Sequence, residues 1–253
     1  MALETVGLLH PGEMGAAVGA ALREQGHRVV WAAQGRSAET LARAEAAGLR
    51  DAGSAAEVAR SDVVFSICPP HAALDVARSV GPFAGVFVDA NAISPSTARA
   101  VAEVVRAAGG RYVDGGIVGS PPHEAGTTRL YLSGERAEEV RELFAGSVLE
   151  ARVVPNASAL KMAYAAWTKG TAALLLAIRE LARAEGVEEN LLAEWDLSQP
   201  ELRERHARAA RSAEAKGWRW VGEMEEIAAT FAASRQPAGF HEAAAEVFRR
   251  YPA

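Results

Sequence analysis

The chain has 253 residues, 49% of them hydrophobic, a net charge of −5 and a single cysteine. That length allows one large domain or two modest ones, and the mildly acidic balance argues against nucleic acid or an anionic membrane as the main partner. Cys68 alone excludes an intramolecular disulfide, no His/Cys cluster points to a metal, and the longest purely apolar run, 172–178, is too short to span a bilayer, so the expected compartment is the cytoplasm.

The first predicted element is an apolar strand over 5–9, followed by an Ala-rich amphipathic helix over 13–25 with Gly12 and Gly15 in the turn between them. A helix that starts at a strand end presents unpaired N–H groups and the positive end of its dipole, and both attract a phosphate. The segment His10-Pro11-Gly12-Glu13-Met14-Gly15 stands where a dinucleotide fingerprint reads G-x-G-x-x-G, with His10 in place of the first glycine. Gly12 lets the backbone approach the phosphates, and Gly15 lets the helix pack closely on the strand. Gly26 stops the helix, and a second strand over 27–33 completes a βαβ unit.

A helix over 37–47, an edge strand over 49–52 and a short helix over 54–60 follow. DVVFSIC, 62–68, is apolar on both faces as a buried parallel strand should be, and Pro69 and Pro70 end it. A helix over 71–80, a strand over 85–89, a loop over 90–94 and a helix over 95–108 continue the alternation, which predicts a doubly wound α/β, or Rossmann, domain. Shorter strands over 111–114, 128–133 and 149–154, with a helix over 137–144, finish it. Past Pro155 no strand signal remains. A long helix over 158–185, apolar nearly all round its middle, precedes three helical stretches near 200–216, 221–234 and 240–251, with breaks at Gly217 and 237–239. The expected organisation is a nucleotide-binding domain over 1–155 and an all-α domain over 156–253.

Which nucleotide is favoured depends on the end of the second strand. An NAD-preferring domain places a carboxylate there to bind the ribose hydroxyls, whereas this chain has Ala32, Ala33 and Gln34, then Gly35, Arg36 and Ser37. A guanidinium and a hydroxyl at that mouth suit a 2′-phosphate. Arg36 as a solvated loop cation and Ser37 as the N-cap of the next helix are the plainer alternatives. With the glycine turn upstream, the expectation is NADP.

Five blocks carry a family resemblance: GLLHPGEMG at 7–15, ICPP at 67–70, DANAISP at 89–95, DGGIVGSPPHEAGTT at 114–128 and LKMAYAAWTKG at 160–170. Together they resemble the β-hydroxyacid dehydrogenases, the group that holds 3-hydroxyisobutyrate and 6-phosphogluconate dehydrogenases, and the short helical tail is most similar to that of poorly characterised phosphogluconate-dehydrogenase-like proteins. The resemblance implies that the turn from His10 to Gly15 (His10, Pro11, Gly12, Glu13, Met14, Gly15), Arg36, Ser37, the loop of Cys68, Pro69 and Pro70, and Asn91 hold the cofactor. It makes Lys161 the catalytic lysine, on a helix between domains, and assigns Val118, Gly119, Ser120, Ala165 and Thr168 to the substrate. Three of these positions depart from the family pattern: Val118 replaces a serine, Ala165 an asparagine and Thr168 an acidic residue. Neither 3-hydroxyisobutyrate nor 6-phosphogluconate is therefore expected as such. The resemblance also implies a homodimer through the C-terminal helices, which a tail of about 70 residues needs in order to bury its long apolar helix.

Hydride transfer to a carbonyl or imine needs a proton donor near the heteroatom and a dry pocket. Lys161 can supply the proton, although by itself it can also be a lysine that reaches solvent from a core helix. Tyr164, three residues on, is the rival donor. Asn91, at the carboxyl end of a strand, can hold substrate or the nicotinamide amide, or simply belong to a turn. His123 in the loop 119–126 has the character of an exposed loop residue, and Trp167, Trp195, Trp218, Trp220 and Phe240 read as core or subunit interface. The expected activity is an NADP-dependent oxidoreductase acting on a small hydroxy or carbonyl compound, with imine reduction and non-catalytic NADP(H) sensing as alternatives.

Overall fold

A computed structural model describes residues 3–251, and the chain divides into two compact units, Met1–Lys161 and Met162–Ala253. The first unit is built on an eight-stranded sheet of order β3-β2-β1-β4-β5-β6-β7-β8. Its strands are β1 (Thr5–Leu8), β2 (Arg28–Trp31), β3 (Arg50–Asp51), β4 (Val63–Ser66), β5 (Val86–Asp89), β6 (Arg111–Val118), β7 (Thr128–Ser133) and β8 (Leu149–Val153). All neighbouring pairs are parallel except β6 and β7. The helices are α1 (Glu13–Glu24), α2 (Ala38–Ala46), α3 (Ala55–Val58), α4 (Ala73–Ser79), α5 (Pro95–Ala107), α6 (Ala137–Glu142) and the start of α7 (Ala157–Ala184).

Strand alternation sorts the core into two layers. Val6, Leu8, Phe65 and Val88 face Val18 and Leu22 of α1, whereas Val64 and Phe87 face Val76 of α4 and Val101 of α5. With both faces covered, the central parallel strands are buried along their whole length, apolar until Ser66 of β4 and Asp89 of β5 at their carboxyl ends. This is the doubly wound architecture with a helical C-terminal region.

Several elements differ from the sequence expectation. β6 runs on to Val118 because β7 pairs with it antiparallel from Asp114 through Val118. The helix expected from His71 starts as a 3-10 turn over Pro70–Ala72. In the second unit α8 (Glu188–Ser198) was not anticipated; it buries Leu192 and Trp195 against Leu175 of α7. The break expected at Gly217 is absent, since α9 (Leu202–Ala233) passes through it without interruption before α10 (Gly239–Phe248). A Cβ at Gly217 would stand 3.0 Å from the Tyr251 Cβ, so this glycine marks a close approach of chain segments and not a helix end.

Candidate active site at the carboxyl edge of the sheet

The register Leu8↔Phe65, Phe65↔Val88 and Val88↔Val113 aligns the carboxyl ends of β1, β4, β5 and β6 on one edge. Strand order reverses beside β1, with β2 and β3 on one side and β4 onward on the other. In open α/β sheets ligands gather in the crevice at such a switch point.

The turn from β1 to α1 opens at that crevice. Gly12 is the N-cap of α1 in an extended conformation, without a side-chain cap, and a Cβ there would have no heavy atom within 4 Å. The positive end of a 12-residue helix therefore faces open space. Gly15 is required for a different reason: its Cβ would collide with the His10 carbonyl oxygen at 2.2 Å. His10 is half-buried, with a buried Nδ1 that has no hydrogen-bond partner. Burial first, and the Arg36 guanidinium second, lower its pKa to about 4, so the imidazole is neutral near pH 7. Pro11 is buried, Met14 packs on the core, and Glu13 is exposed in the first turn of the helix.

Arg36 folds back over this turn and donates from its terminal nitrogen to the Leu9 carbonyl at 3.2 Å, while its buried Nε has no partner. Arg43, one of the residues sequence reasoning missed, donates to the Pro11 carbonyl at 3.4 Å and pairs with Glu39. Ser37 caps α2 by accepting from the Thr40 amide at 3.3 Å, the plainer of its two roles. The ends of β2 and β3 do hold one carboxylate. Oδ1 of Asp51, also missed, accepts from the amides of Ala33 (3.1 Å) and Gly53 (2.7 Å), which fastens β3 to the strand beside it.

Across the switch point, the loop after β4 is held by Asn91. This residue is 2% exposed; its Oδ1 accepts from the Cys68 amide at 2.6 Å and its Nδ2 donates to Ser66 Oγ at 3.1 Å. Its own amide donates to Asp89 Oδ1 at 3.1 Å. Asn91 thus ties the ends of β4 and β5 together and shapes the turn of Cys68, Pro69 and Pro70. Burial pushes the Cys68 thiol up to about 12, which leaves it protonated and poorly nucleophilic.

The end of β6 holds the start of α7. Asp114 Oδ2 accepts from the Ser158 amide (2.8 Å) and from Ser133 Oγ (3.0 Å), and Ser133 Oγ accepts from the Ala157 amide (2.9 Å). Asn156 Oδ1 accepts from the Ala159 amide at 2.8 Å, so the first turn of the helix is fully capped. Burial raises the Asp114 pKa despite these bonds. A Cβ at Gly116 would lie 2.8 Å from the Lys161 Cβ, so this glycine gives the lysine stem its seat on the strand. Lys161 Nζ then donates to the Ile117 carbonyl at 2.8 Å. Val118 is buried, Gly119 turns the chain at φ +126°, and Ser120 is exposed, its carbonyl accepting from Thr128 Oγ1 at 2.5 Å. Asp114, Gly116 and Ser133 were not singled out as site residues from the sequence; nothing local distinguishes a residue that caps a helix 44 positions away. His123 is exposed and, with Pro121 and Pro122, lines a cavity beside Glu13 and the alanines of α1.

The remaining expected residues lie in the second unit. Tyr164 is 47% exposed, Ala165 is fully buried, and exposed Thr168 donates back to the carbonyl of Tyr164 along its helix at 3.4 Å. Among the described residues no cluster of three metal-ligating side chains occurs, and no helix is long and apolar enough to cross a membrane.

Comparison with known proteins matches residues 5–147 to the family of the NAD binding domain of 6-phosphogluconate dehydrogenase and residues 182–251 to a domain of unknown function. An uncharacterized 28.5 kDa protein of Methanothermus fervidus is 32% identical over 139 residues, and that match spans about half of each chain. Among solved structures, the conserved protein MTH1747, of unknown function and described as structurally similar to 3-hydroxyacid dehydrogenases, is 30% identical with a TM-score of 0.72; the match covers 97% of this chain and 96% of that one. A 3-hydroxyisobutyrate dehydrogenase from Salmonella typhimurium has the same TM-score at 17% identity, over 97% and 93% of the two chains, a likeness of fold.

Proposed function

The chain belongs to the family of the 6-phosphogluconate dehydrogenase NAD binding domain, and from that premise we propose that it is an NADP(H)-dependent oxidoreductase that moves a hydride between the nicotinamide and a small hydroxy or carbonyl compound. One observation carries this reading: the edge of the sheet where α1 opens its uncapped N-terminus also holds the Lys161 ammonium at the end of β6.

The residues present suit the nucleotide. The backbone from His10 to Gly15 receives the pyrophosphate, Arg36 and Ser37 take the 2′-phosphate, and Arg43 adds positive charge beside Pro11. The loop of Cys68, Pro69 and Pro70, shaped by Asn91, forms the opposite wall. When bound, the reduced nicotinamide supplies the hydride to the carbonyl carbon. Lys161 delivers a proton from Nζ to the carbonyl oxygen, so that C=O becomes CH–OH and the lysine is left neutral. The Ile117 carbonyl orients the ammonium before transfer and does not take its proton. Val118, at the end of β6, offers the substrate no side-chain hydrogen bond.

Steady-state oxidation of NADPH against a panel of aldehydes, ketoacids and cyclic imines tests the proposal. Turnover with carbonyl compounds is expected; turnover confined to imines would reassign the enzyme to C=N reduction, and tight NADPH binding without turnover on any class would point to a sensor. A homodimer in the cytoplasm completes the reading. Leu174, Leu181 and Phe240 are 59%, 62% and 79% exposed in the helical unit, an apolar face suited to a second copy. Light scattering that gave a monomer mass at micromolar concentration would remove that part.

A further inference from the structure

The second unit contains a cavity of about 390 Å³ whose walls include Thr168 but none of the groups that carry the nucleotide site or the proton transfer. It lies between α7 and α9, and Lys169, Arg205 and Arg208 line it with no carboxylate among its walls. The indoles of Trp167 and Trp220 line it together with Ala172, Leu175 and Ala209.

The three cations are not equivalent. Lys169 Nζ stands 2.9 Å from a Glu223 carboxylate oxygen, both side chains largely buried, and 5.8 Å from the centre of the Trp220 ring, so its charge is already matched within the protein. Arg208 reaches Glu204 only at 3.8 Å on an open face. Arg205 is half-buried and has no carboxylate partner among the described residues; its guanidinium carbon lies 5.8 Å from the Trp167 ring centre. A guanidinium held against an indole keeps its N–H fork free at the edge. The Ser212 hydroxyl lines the same cavity and makes no side-chain hydrogen bond among the described residues.

We propose that this cavity binds a small organic monocarboxylate with a flat or apolar body. The carboxylate takes two parallel hydrogen bonds from Arg205, Ser212 donates a third, and the body lies against Trp167 and Trp220. One guanidinium without a counter-ion matches one negative charge, which favours a carboxylate over a phosphate. The indole walls favour an organic acid over an inorganic anion, and a volume near the lower end of ligand cavities, about 300 to 1,000 Å³, suits an acid the size of benzoate and not a nucleotide. The site stands on the second unit alone and does not depend on the oxidoreductase reading.

Titration of the full-length, nucleotide-free protein with benzoate, followed by the indole N–H resonances of its five tryptophans, tests the proposal. Benzoate is expected to shift Trp167 and Trp220, while neutral benzamide at the same concentration shifts neither. Arg205→Gln should weaken benzoate at least tenfold, about what loss of a charge-assisted pair implies, with an unchanged melting temperature. Arg205→Lys, which keeps the charge and loses the two-point geometry, should weaken it by several-fold. Equal responses to benzoate and benzamide, wild-type affinity in Arg205→Gln, or competition by inorganic phosphate as strong as that by acetate would each overturn it. Because no turnover is measured, a failed reductase assay leaves these outcomes readable.

Discussion

At the β1–α1 turn, the groups that face open space are backbone amides and two guanidiniums tied only to carbonyl oxygens and one exposed carboxylate. At the β6–α7 junction, the polar groups turn inward, and Asp114, Ser133 and Asn156 together bind the first amides of α7. The first region keeps its hydrogen-bonding capacity for something outside the chain, whereas the second spends that capacity on fixing where a helix starts. A substitution at the turn should therefore move ligand affinity with little change in stability. At the junction it should move stability, or the rate through Lys161, with little change in nucleotide affinity.

The largest effect is expected at Lys161, the group of the junction to which the proposed function gives the proton transfer. Lys161→Met retains most of the side-chain volume over Gly116 and should lower kcat/KM by roughly 10² to 10⁴, the range for loss of a positioned general acid, while the Kd for NADPH stays within about twofold. Tyr164→Phe should change turnover by less than about tenfold. If the two substitutions exchange these outcomes, the proton comes from the tyrosine; if neither exceeds about tenfold, the junction merely anchors a helix.

At the turn, His10 offers an exception that sharpens the contrast, because it is the buried titratable group there. Its pKa lies near 4 in the folded chain against 6.5 for an ordinary solvated histidine, so below pH 6.5 the unfolded state takes up a proton that the folded state refuses. Stability must then fall as pH drops from about 6.5 to 4, by up to about 3 kcal/mol at 1.36 kcal/mol for each pKa unit. His10→Gln should flatten that part of the stability curve in urea titrations at pH 7, 6 and 5. An unchanged slope would mean that the imidazole is solvated.

Asp114 gives the next effect. Asp114→Ala leaves the Ser158 amide and the Ser133 hydroxyl without their acceptor and should cost roughly 2 to 3 kcal/mol in chemical denaturation. Asp114→Asn keeps an oxygen for both donors. Because burial raises the folded pKa of Asp114, stability from this group is present at low pH and lost as pH rises from the unfolded value through the folded one. The neutral amide avoids that loss, so Asp114→Asn should be at least as stable as the parent at pH 7. A penalty equal to that of alanine would show that the charge, and not the acceptor, holds the cap.

The contrast between these regions also explains what the sequence made legible. Local signals located nearly every element of the first unit: Gly26 at φ +90° ends α1, Ser37 and Ser94 cap α2 and α5, and Pro69-Pro70 closes β4. The glycine turn was legible because its requirement lies within a few residues, Gly15 against the His10 carbonyl, whereas Arg36 reaches the Leu9 carbonyl across 27 positions. The junction was not, since Asp114 acts on Ser158 and Gly116 on Lys161 across more than 40 positions, and such pairings leave no local pattern. Gly217 misled for the same reason. Its propensity cost of about 1 kcal/mol is a local signal for a break, but what decides its place is contact with Tyr251, 34 residues later.

The smallest effects separate the two guanidiniums of the turn. Among the described residues Arg36 has a buried Nε without a partner and no carboxylate paired with it, so its charge is available to a 2′-phosphate; NADPH should bind at least tenfold more tightly than NADH, and Arg36→Ala should erase most of that difference, consistent with about 1.5 to 3 kcal/mol for a charge-assisted bond. Arg43 differs on both counts. It is already paired with Glu39, and it touches Pro11 in the β1–α1 turn, where the proposed function seats the pyrophosphate common to both nucleotides. Arg43→Ala should therefore weaken NADPH and NADH alike, by only about threefold, since an exposed ion pair leaves little charge to lend. Fluorescence titration of both nucleotides against both variants measures the four affinities. Equal affinities in the unmutated protein would show that Arg36 serves only the Leu9 carbonyl, and a loss confined to NADPH in Arg43→Ala would place the 2′-phosphate on α2 instead. If the two losses have the expected unequal selectivity, the mouth divides into a residue that chooses the nucleotide and a residue that supports either one.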